Sequence, residues 1–153
     1  MTTDRFHFKA NGWVPNNPRL PVLIWRAAVA GVGETLAEEF ERLFAERGWR
    51  PDWRDGVFGY HHYHSTAHEA LGVFSGRATL ELGGPGGARV PLAPGDALML
   101  PAGTGHRCMN ASEDFQVVGA YPDGQDWDIC REAPDQMAME RMRSLPDPPH
   151  NPV

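Results

Sequence analysis

Cysteine is scarce in this chain of 153 residues, which contains only Cys108 and Cys130. Their separation excludes a C-x2-C zinc-binding pair. We expect Cys108 to point into the fold and Cys130 to lie on a polar segment, so a disulfide between them is not expected. Such cysteine usage is typical of a protein from a reducing compartment, and we expect a cytoplasmic location.

Positive charge and long apolar runs are also in short supply. Fourteen basic residues oppose twenty acidic ones, the net charge is −6, and the basic residues form no run. We therefore expect no nucleic-acid partner. No stretch approaches the roughly twenty apolar residues of a membrane span, and residues 1–5 lack the apolar core of a signal peptide. We expect no membrane partner either.

Turn-forming residues, by contrast, are abundant. The chain has 17 glycines and 14 prolines, and its hydrophobic share is 41%. This composition is typical of an all-β protein with many short strands and tight turns. The length predicts one domain, residues 1–153, with room for a proper core.

Histidine is concentrated in one short segment. His61, His62, His64 and His68 are four of the seven histidines, and Glu69 follows directly. Imidazole and carboxylate groups offer the nitrogen and oxygen lone pairs that borderline transition metals take as ligands. The segment is therefore a candidate metal site.

The residue order suggests how these ligands could meet. Residues 57–64 are aromatic and β-prone, which predicts a strand with His62 and His64 on one face. Residues 69–74 would be the returning strand, and Glu69 opens it. We expect a hairpin that brings His62, His64 and Glu69 to one point.

A second stretch could supply one more ligand. Residues 95–96 are a turn signal, 97–100 an apolar strand, and 101–105 a second turn rich in glycine and proline. His106 opens the strand that follows. A histidine presented on such a turn is well placed to reach the first three ligands.

The two stretches resemble the paired motifs of the cupin superfamily, G-x5-H-x-H-x4-E-x6-G at residues 56–76 and G-x5-P-x-G-x2-H-x3-N at residues 95–110. All ten defined positions match: Gly56, His62, His64, Glu69, Gly76, Gly95, Pro101, Gly103, His106 and Asn110. The segments 15–18 and 119–125 are similar, more narrowly, to small bacterial cupins often called YjlB-like.

The resemblance implies a single cupin β-barrel, also called a double-stranded β-helix or jelly roll. It implies one divalent transition metal per chain, with iron or manganese favoured and zinc, nickel or copper possible. The implied ligands are His62, His64, Glu69 and His106. The alternative is that the histidines are buried and bonded to backbone, and that Glu69 is a surface carboxylate.

Other residues in these stretches have alternative roles. His68 could replace Glu69 as a ligand if the turn were one residue shorter, but strand alternation places it on the opposite face. Alternation also points His61 outward. Tyr60 shares the face of His62, so its hydroxyl is a candidate catalytic acid or hydrogen-bond donor, with a core aromatic as the alternative. Gln116 and Tyr121 lie on the last predicted strand and could line the pocket.

Flanking segments complete the expected organisation. Residues 1–50 should hold short strands at 6–9 and 22–26, a loop, and an amphipathic helix over 34–47 that covers one side of the barrel. A short helix is expected over 134–143. The proline-rich tail, residues 144–153, should be an extended arm or disordered.

The resemblance covers enzymes and binding proteins alike, so fold alone does not decide the activity. We expect a dioxygenase-like oxidoreductase acting on a small molecule. The alternatives are a metal-dependent protein that binds or senses a small metabolite, and a non-redox isomerase. By analogy with small cupins we also predict a homodimer, in which the strand at 22–26 could pair across subunits.

Overall fold

The computed structural model describes residues 2–153. Two antiparallel sheets and two helices make up its regular structure. The elements are β1 (Thr2–Phe6), β2 (Val22–Arg26), α1 (Gly33–Glu46), β3 (Trp49–Asp55), β4 (Glu69–Ser75), β5 (Ala78–Leu82), β6 (Ala88–Leu92), β7 (Ala97–Leu100), β8 (His106–Ala111), β9 (Gln116–Pro122) and α2 (Gln136–Ser144). One sheet has the order β1-β2-β7-β4-β9-β3 and the other β6-β5-β8.

Alternation along the strands fills the space between the two sheets. On β4, Leu71 and Val73 face the second sheet, where Leu80 and Leu82 of β5 are fully buried. Each strand thus contributes every second side chain to one continuous apolar core. Glu69 continues the same inward face, which places its carboxylate at the end of this core.

Helix α1 covers the outer face of the six-stranded sheet. Its stripe of Leu36, Phe40 and Phe44 is buried against that sheet. Phe40 approaches β4 at Gly72, where an added Cβ would lie only 2.6 Å from the ring. The glycine therefore allows close packing of helix on sheet, and the amphipathic pattern had predicted this helix correctly.

The predicted all-β jelly-roll architecture, with one helix near each end, is confirmed, but the sheets do not close into a barrel. Within residues 2–153 the hydrogen-bond ladders form two separate sheets. The fold is therefore a two-layer sandwich with one end open between the layers.

The strand predicted over residues 57–64 is wrong, and so is its hairpin with residues 69–74. Residues 49–55 form the strand instead, as β3, and β4 pairs with β7 and β9. Residues 57–64, here called the crossing segment, leave the edge of one sheet and reach the edge of the other through a single bridge from His62 to His106 of β8. Tyr63 bridges to Cys130, which lies outside both sheets. A chain that crosses between layers cannot keep one continuous ladder.

Smaller differences concern the chain ends. The first strand covers residues 2–6 rather than 6–9. Beyond Ser144, where α2 ends, the tail has no regular structure, yet it packs on the body: the carbonyl of His150 accepts a 2.9 Å hydrogen bond from the Trp49 indole, and Pro152 is buried. It is an extended arm.

The pairing of β2 bears on the predicted homodimer. β2 lies between β1 and β7 within the chain, so it is not an edge strand; the edges of this sheet are β1 and β3. The homodimer itself stays a prediction.

None of the helices in residues 2–153 has the length and apolar character needed to cross a membrane.

Replacing Gly72 with alanine should lower the free energy of unfolding by about 1–3 kcal/mol, because the new methyl group forces Phe40 away from the sheet. Urea denaturation would measure the change. Gly59→Ala is the matched control, since its Cβ would meet nothing closer than 3.8 Å. Equal stability of the two variants would contradict the close helix packing described above.

Candidate metal centre

Three histidines meet at the open end of the sandwich. His62 and His106 are joined by two backbone hydrogen bonds, of 3.2 and 2.9 Å, which hold the crossing segment against β8. His64 follows two residues later. One ring nitrogen from each of the three histidines lies within 4.8 Å of the others, and all three side chains are buried. This group could bind a metal ion.

The rings are oriented by hydrogen bonds on their other side. In each ring Nδ1 lies against a backbone carbonyl oxygen, which can only accept, so Nδ1 must carry the proton and donate it. This leaves Nε2 with a free lone pair, the form in which imidazole binds a metal. The three acceptors are Tyr60 (3.0 Å from His62), Thr104 (2.9 Å from His106) and Asp128 (bonded to His64).

Glu69 lies beside two of the three rings. Its Oε2 is 3.2 Å from His64 Nε2, and its Oε1 is 3.2 Å from His106 Nε2. Tyr121 on the neighbouring strand β9 donates a 2.7 Å hydrogen bond to Oε2, and the Trp53 indole donates a 2.8 Å bond to the Tyr121 oxygen. A chain of donors therefore holds a fully buried carboxylate in place.

Positive charge beside Glu69 would stabilise this buried cluster. Burial opposes ionisation of Glu69, but His64 and His106 outweigh it and hold the pKa of that carboxyl well below its usual range. Burial likewise opposes protonation of His64, yet Glu69 raises its pKa. Burial and the neighbouring His106 lower the pKa of His62 to about 3. His62 is therefore neutral at physiological pH.

The donor set fits a metal on one further observation. Among residues 2–153, Nε2 of His64 is a buried ring nitrogen without a hydrogen-bond partner, even though Glu69 Oε2 lies 3.2 Å away. A lone pair facing a carboxylate is unfavourable unless a proton or a metal ion lies between them. Imidazole nitrogens and a carboxylate are ligands that suit iron, manganese, zinc, nickel or copper.

Comparison with known proteins agrees with this geometry. The family model described as Cupin domain matches residues 54–119. The chain is also 36% identical over 153 residues to "Uncharacterized protein YjlB" of Bacillus subtilis strain 168, covering 99% of this chain and 90% of that protein. The chain belongs to the cupin family. The YjlB-like similarity expected from segments 15–18 and 119–125 is thus confirmed over nearly the whole cupin chain.

A cavity of about 270 Å³ opens above the histidines of this cupin. Its walls are mostly apolar, and two acidic residues lie at its outer part. The apolar side chains are those of Trp53, Val57, Phe58, Leu71 and Trp127, and the acidic ones those of Asp52 and Asp55. A small molecule entering here would reach the histidine nitrogens directly.

Residues 123–135, here called the strap, contribute Trp127 to the lining of the cavity. The Asp128 carbonyl accepts the hydrogen bond from His64, and its carboxylate accepts from the backbone N–H of Ser65 at 2.6 Å and from the Ser65 hydroxyl. At Cys130 the strap bridges to Tyr63. Asp128 thus ties the strap to the ligand-bearing segment.

Not every residue singled out in the sequence reaches the site. Tyr60 does not line the cavity: its ring stacks on Phe58 at 4.8 Å and carries the Arg131 guanidinium at 3.7 Å. Its catalytic role stays a prediction. His61 points away from the cluster, with Nε2 3.2 Å from Glu81.

His68 is not among the clustered histidines. Its Nδ1 accepts from the Ala102 N–H at 2.9 Å, so its Nε2 carries the proton and lies 3.2 Å from the Pro146 carbonyl. Both ring nitrogens are therefore in use. Burial lowers its pKa to about 4, which keeps the ring neutral. His68 supports the turn before His106 and anchors the tail.

Several residues of the site lie outside the two sequence motifs. Of the two β9 residues named from the sequence, Tyr121 lines the cavity and Gln116 does not. Gly119, on the same face as Tyr121, leaves room for the Trp53 ring, which an added Cβ would overlap. Nothing in the sequence indicates the role of Asp128, because its partners lie about sixty residues away.

Replacing Asp128 with alanine should loosen the strap, because the loss of two hydrogen bonds to Ser65 costs about 1–3 kcal/mol. Amide hydrogens of the strap should then exchange roughly 5- to 100-fold faster. Hydrogen–deuterium exchange with peptide resolution would measure this. Asp126→Ala is the control, since that strap side chain is 97% exposed. Similar exchange in both variants would contradict the anchoring role.

Proposed function

We propose that this cupin is a metal-dependent enzyme that acts on a small, mostly apolar molecule. His62, His64, Glu69 and His106 would hold one divalent transition metal beneath the cavity, and iron or manganese is favoured. The observation that carries the proposal is that ring nitrogens of three buried histidines lie within 4.8 Å of one another, with the Glu69 carboxylate 3.2 Å from two of them. When bound, such a metal supplies Lewis acidity and, with iron or manganese, redox chemistry.

The other residues of the site would position and protect this centre. Tyr121 keeps its proton, because burial and the nearby Glu69 raise its pKa, and it donates that proton in a hydrogen bond to Glu69. The indole and phenyl side chains along the cavity exclude water from the ligands. Low dielectric and fixed donors of this kind strengthen electrostatic interactions with a substrate.

The composition of the cavity supports oxidation rather than isomerisation. Isomerases of this kind need an acid or base beside the substrate. Beyond the four proposed ligands, the titratable side chains that line the cavity are Tyr121, which is committed to Glu69, and the outer Asp52 and Asp55. A dioxygenase-like oxidoreductase is therefore the activity we favour over a non-redox isomerase.

Elemental analysis of untagged protein should find close to one iron or manganese per chain. His62→Ala and Glu69→Ala should each lose most of it, whereas His7→Ala, which changes an exposed histidine in the segment after β1, should keep it. Metal retained in Glu69→Ala would remove Glu69 from the ligand set. Protein that binds no metal under any reconstitution would overturn the proposal.

Turnover separates the enzyme from a binding or sensing protein. The metal-loaded protein should consume dioxygen when supplied with its substrate. Ligand-dependent stabilisation without any consumption would favour the non-enzymatic alternative.

Replacing Tyr121 with phenylalanine should weaken metal binding by roughly 10- to 100-fold, because Glu69 loses the donor that orients it while the ring still fills its place. Competition with a chelator would measure the affinity. Tyr60→Phe removes a hydroxyl outside the cavity lining and should leave the affinity unchanged. Equal losses in both variants would contradict the positioning role of Tyr121.

A further inference from the structure

We propose that the cavity selects a small organic amine, with its ammonium group held at the mouth by Asp52, Asp55 and the aromatic rings beside them. The inference rests on the proposed function, since the amine would be the substrate presented to the metal site. It concerns the part of the ligand that lies away from the histidines.

The first observation is the charge of the lining. Among residues 2–153, no lysine or arginine side chain lines the cavity, whereas Asp52 and Asp55 do. A substrate carrying a carboxylate or phosphate at its outer end would find no cation there and would face two acidic groups. Like charges across an interface disfavour binding, and opposite charges give specificity.

The second observation is the orientation of the two carboxylates. Asp52 Oδ2 accepts a 2.7 Å hydrogen bond from the Trp127 indole, and Asp55 Oδ1 accepts a 2.7 Å bond from the Gly56 N–H. Each bond uses one oxygen of its carboxylate. The ladder of β3 is irregular between Pro51 and Trp53, and such bulges re-aim side chains beside binding sites.

The third observation is aromatic surface at the same place. Phe58 and Trp127 line the cavity, yet they are 46% and 40% exposed. Aromatic faces next to carboxylates are the pattern that recognises ammonium groups, because the ring quadrupole attracts a cation. An organic amine would cover these rings and bring its charge to Asp52.

The inner end of the cavity is polar because of histidine nitrogens rather than carboxylates. His64 is 6% exposed, and its unpartnered Nε2 lies at the same cavity as the acidic mouth. The cavity therefore has two distinct ends, one that binds through nitrogen lone pairs and one that is acidic and aromatic. Its volume of about 270 Å³ suits a small molecule that spans them.

Neighbouring arginines do not neutralise the mouth. Arg54 makes ion pairs of 2.7 and 2.6 Å with Glu34 and Glu41 of α1. Arg131 lies 3.7 Å over the Tyr60 ring. Phe58 stacks on the same ring, so the two must occupy opposite faces, and Tyr60 separates the guanidinium from the cavity.

Three probes of one shape test the selection: 2-phenylethylamine, 2-phenylethanol and phenylacetate. Calorimetric titration into metal-loaded protein would measure each affinity, after elemental analysis of the same sample. The amine should bind at least about tenfold more tightly than the alcohol, as expected for a charge pair combined with a cation–π contact. Phenylacetate should bind more weakly than the alcohol.

Variants locate the preference. Asp52→Asn and Asp55→Asn keep the side-chain shape and should each reduce amine binding about three- to tenfold, with little effect on the alcohol. Glu38→Gln makes the same charge change on the exposed face of α1 and should have no effect. A loss of amine binding in either aspartate variant, with Glu38→Gln unchanged, would place the ammonium at the mouth.

Two outcomes would overturn the inference while leaving the metal centre intact. One is metal-loaded protein that binds phenylacetate or phenylethanol as well as the amine, or binds none of the three. The other is an amine preference that survives in both aspartate variants. Absence of metal from the sample would instead contradict the proposed function, so the two failures are distinguishable.

Discussion

A buried carboxylate among three imidazole rings is the constraint on which the rest of the site depends. Glu69 is held ionised inside the protein, which is unfavourable unless positive charge or donors surround it. Tyr121 supplies one donor. His64 and His106, whose Nδ1 hydrogens are bound to backbone carbonyls, bring Nε2 to 3.2 Å from the carboxylate. The three histidines of this cluster could therefore hold a metal ion beside Glu69.

The sandwich explains how so polar a cluster can be buried. Strand β4 carries Glu69 at the end of an inward face that is otherwise apolar, and the crossing segment brings His62 and His64 to it from the other sheet. The strap, tied by Asp128, contributes Trp127 to the cavity lining. Core packing, backbone hydrogen bonds and the strap thus act on the same few side chains, and ring orientation does not depend on mobile surface groups.

The sequence predicted the site better than the strands that carry it. Motif spacing and the cupin resemblance pointed to His62, His64, Glu69 and His106. The structure brings a ring nitrogen of each of the three histidines within 4.8 Å of the others and places Glu69 3.2 Å from two of them, while their role as metal ligands stays a prediction. The strand prediction failed over residues 57–64, where aromatic residues suggested a strand, since local propensity contains no information about a crossing between layers. Asp128 was unpredictable for a related reason: its bonds to Ser65 exist only after distant segments meet.

Tyr60 and Tyr121 were both named from the sequence as residues that could lie in the cavity, and only Tyr121 lines it. Tyr60 was expected in the cavity because alternation places it on the face of His62. Its ring does contact the His62 ring, with 5.6 Å between centroids, but it lies against Arg131 and outside the cavity lining. Tyr121 sits on a regular strand, and it lines the cavity.

The measurement that tests the account most directly is X-ray absorption at the metal edge of the loaded protein. We expect a first shell of nitrogen and oxygen only, with outer scattering from three imidazole rings. A sulfur neighbour, or fewer than three imidazoles, would contradict it.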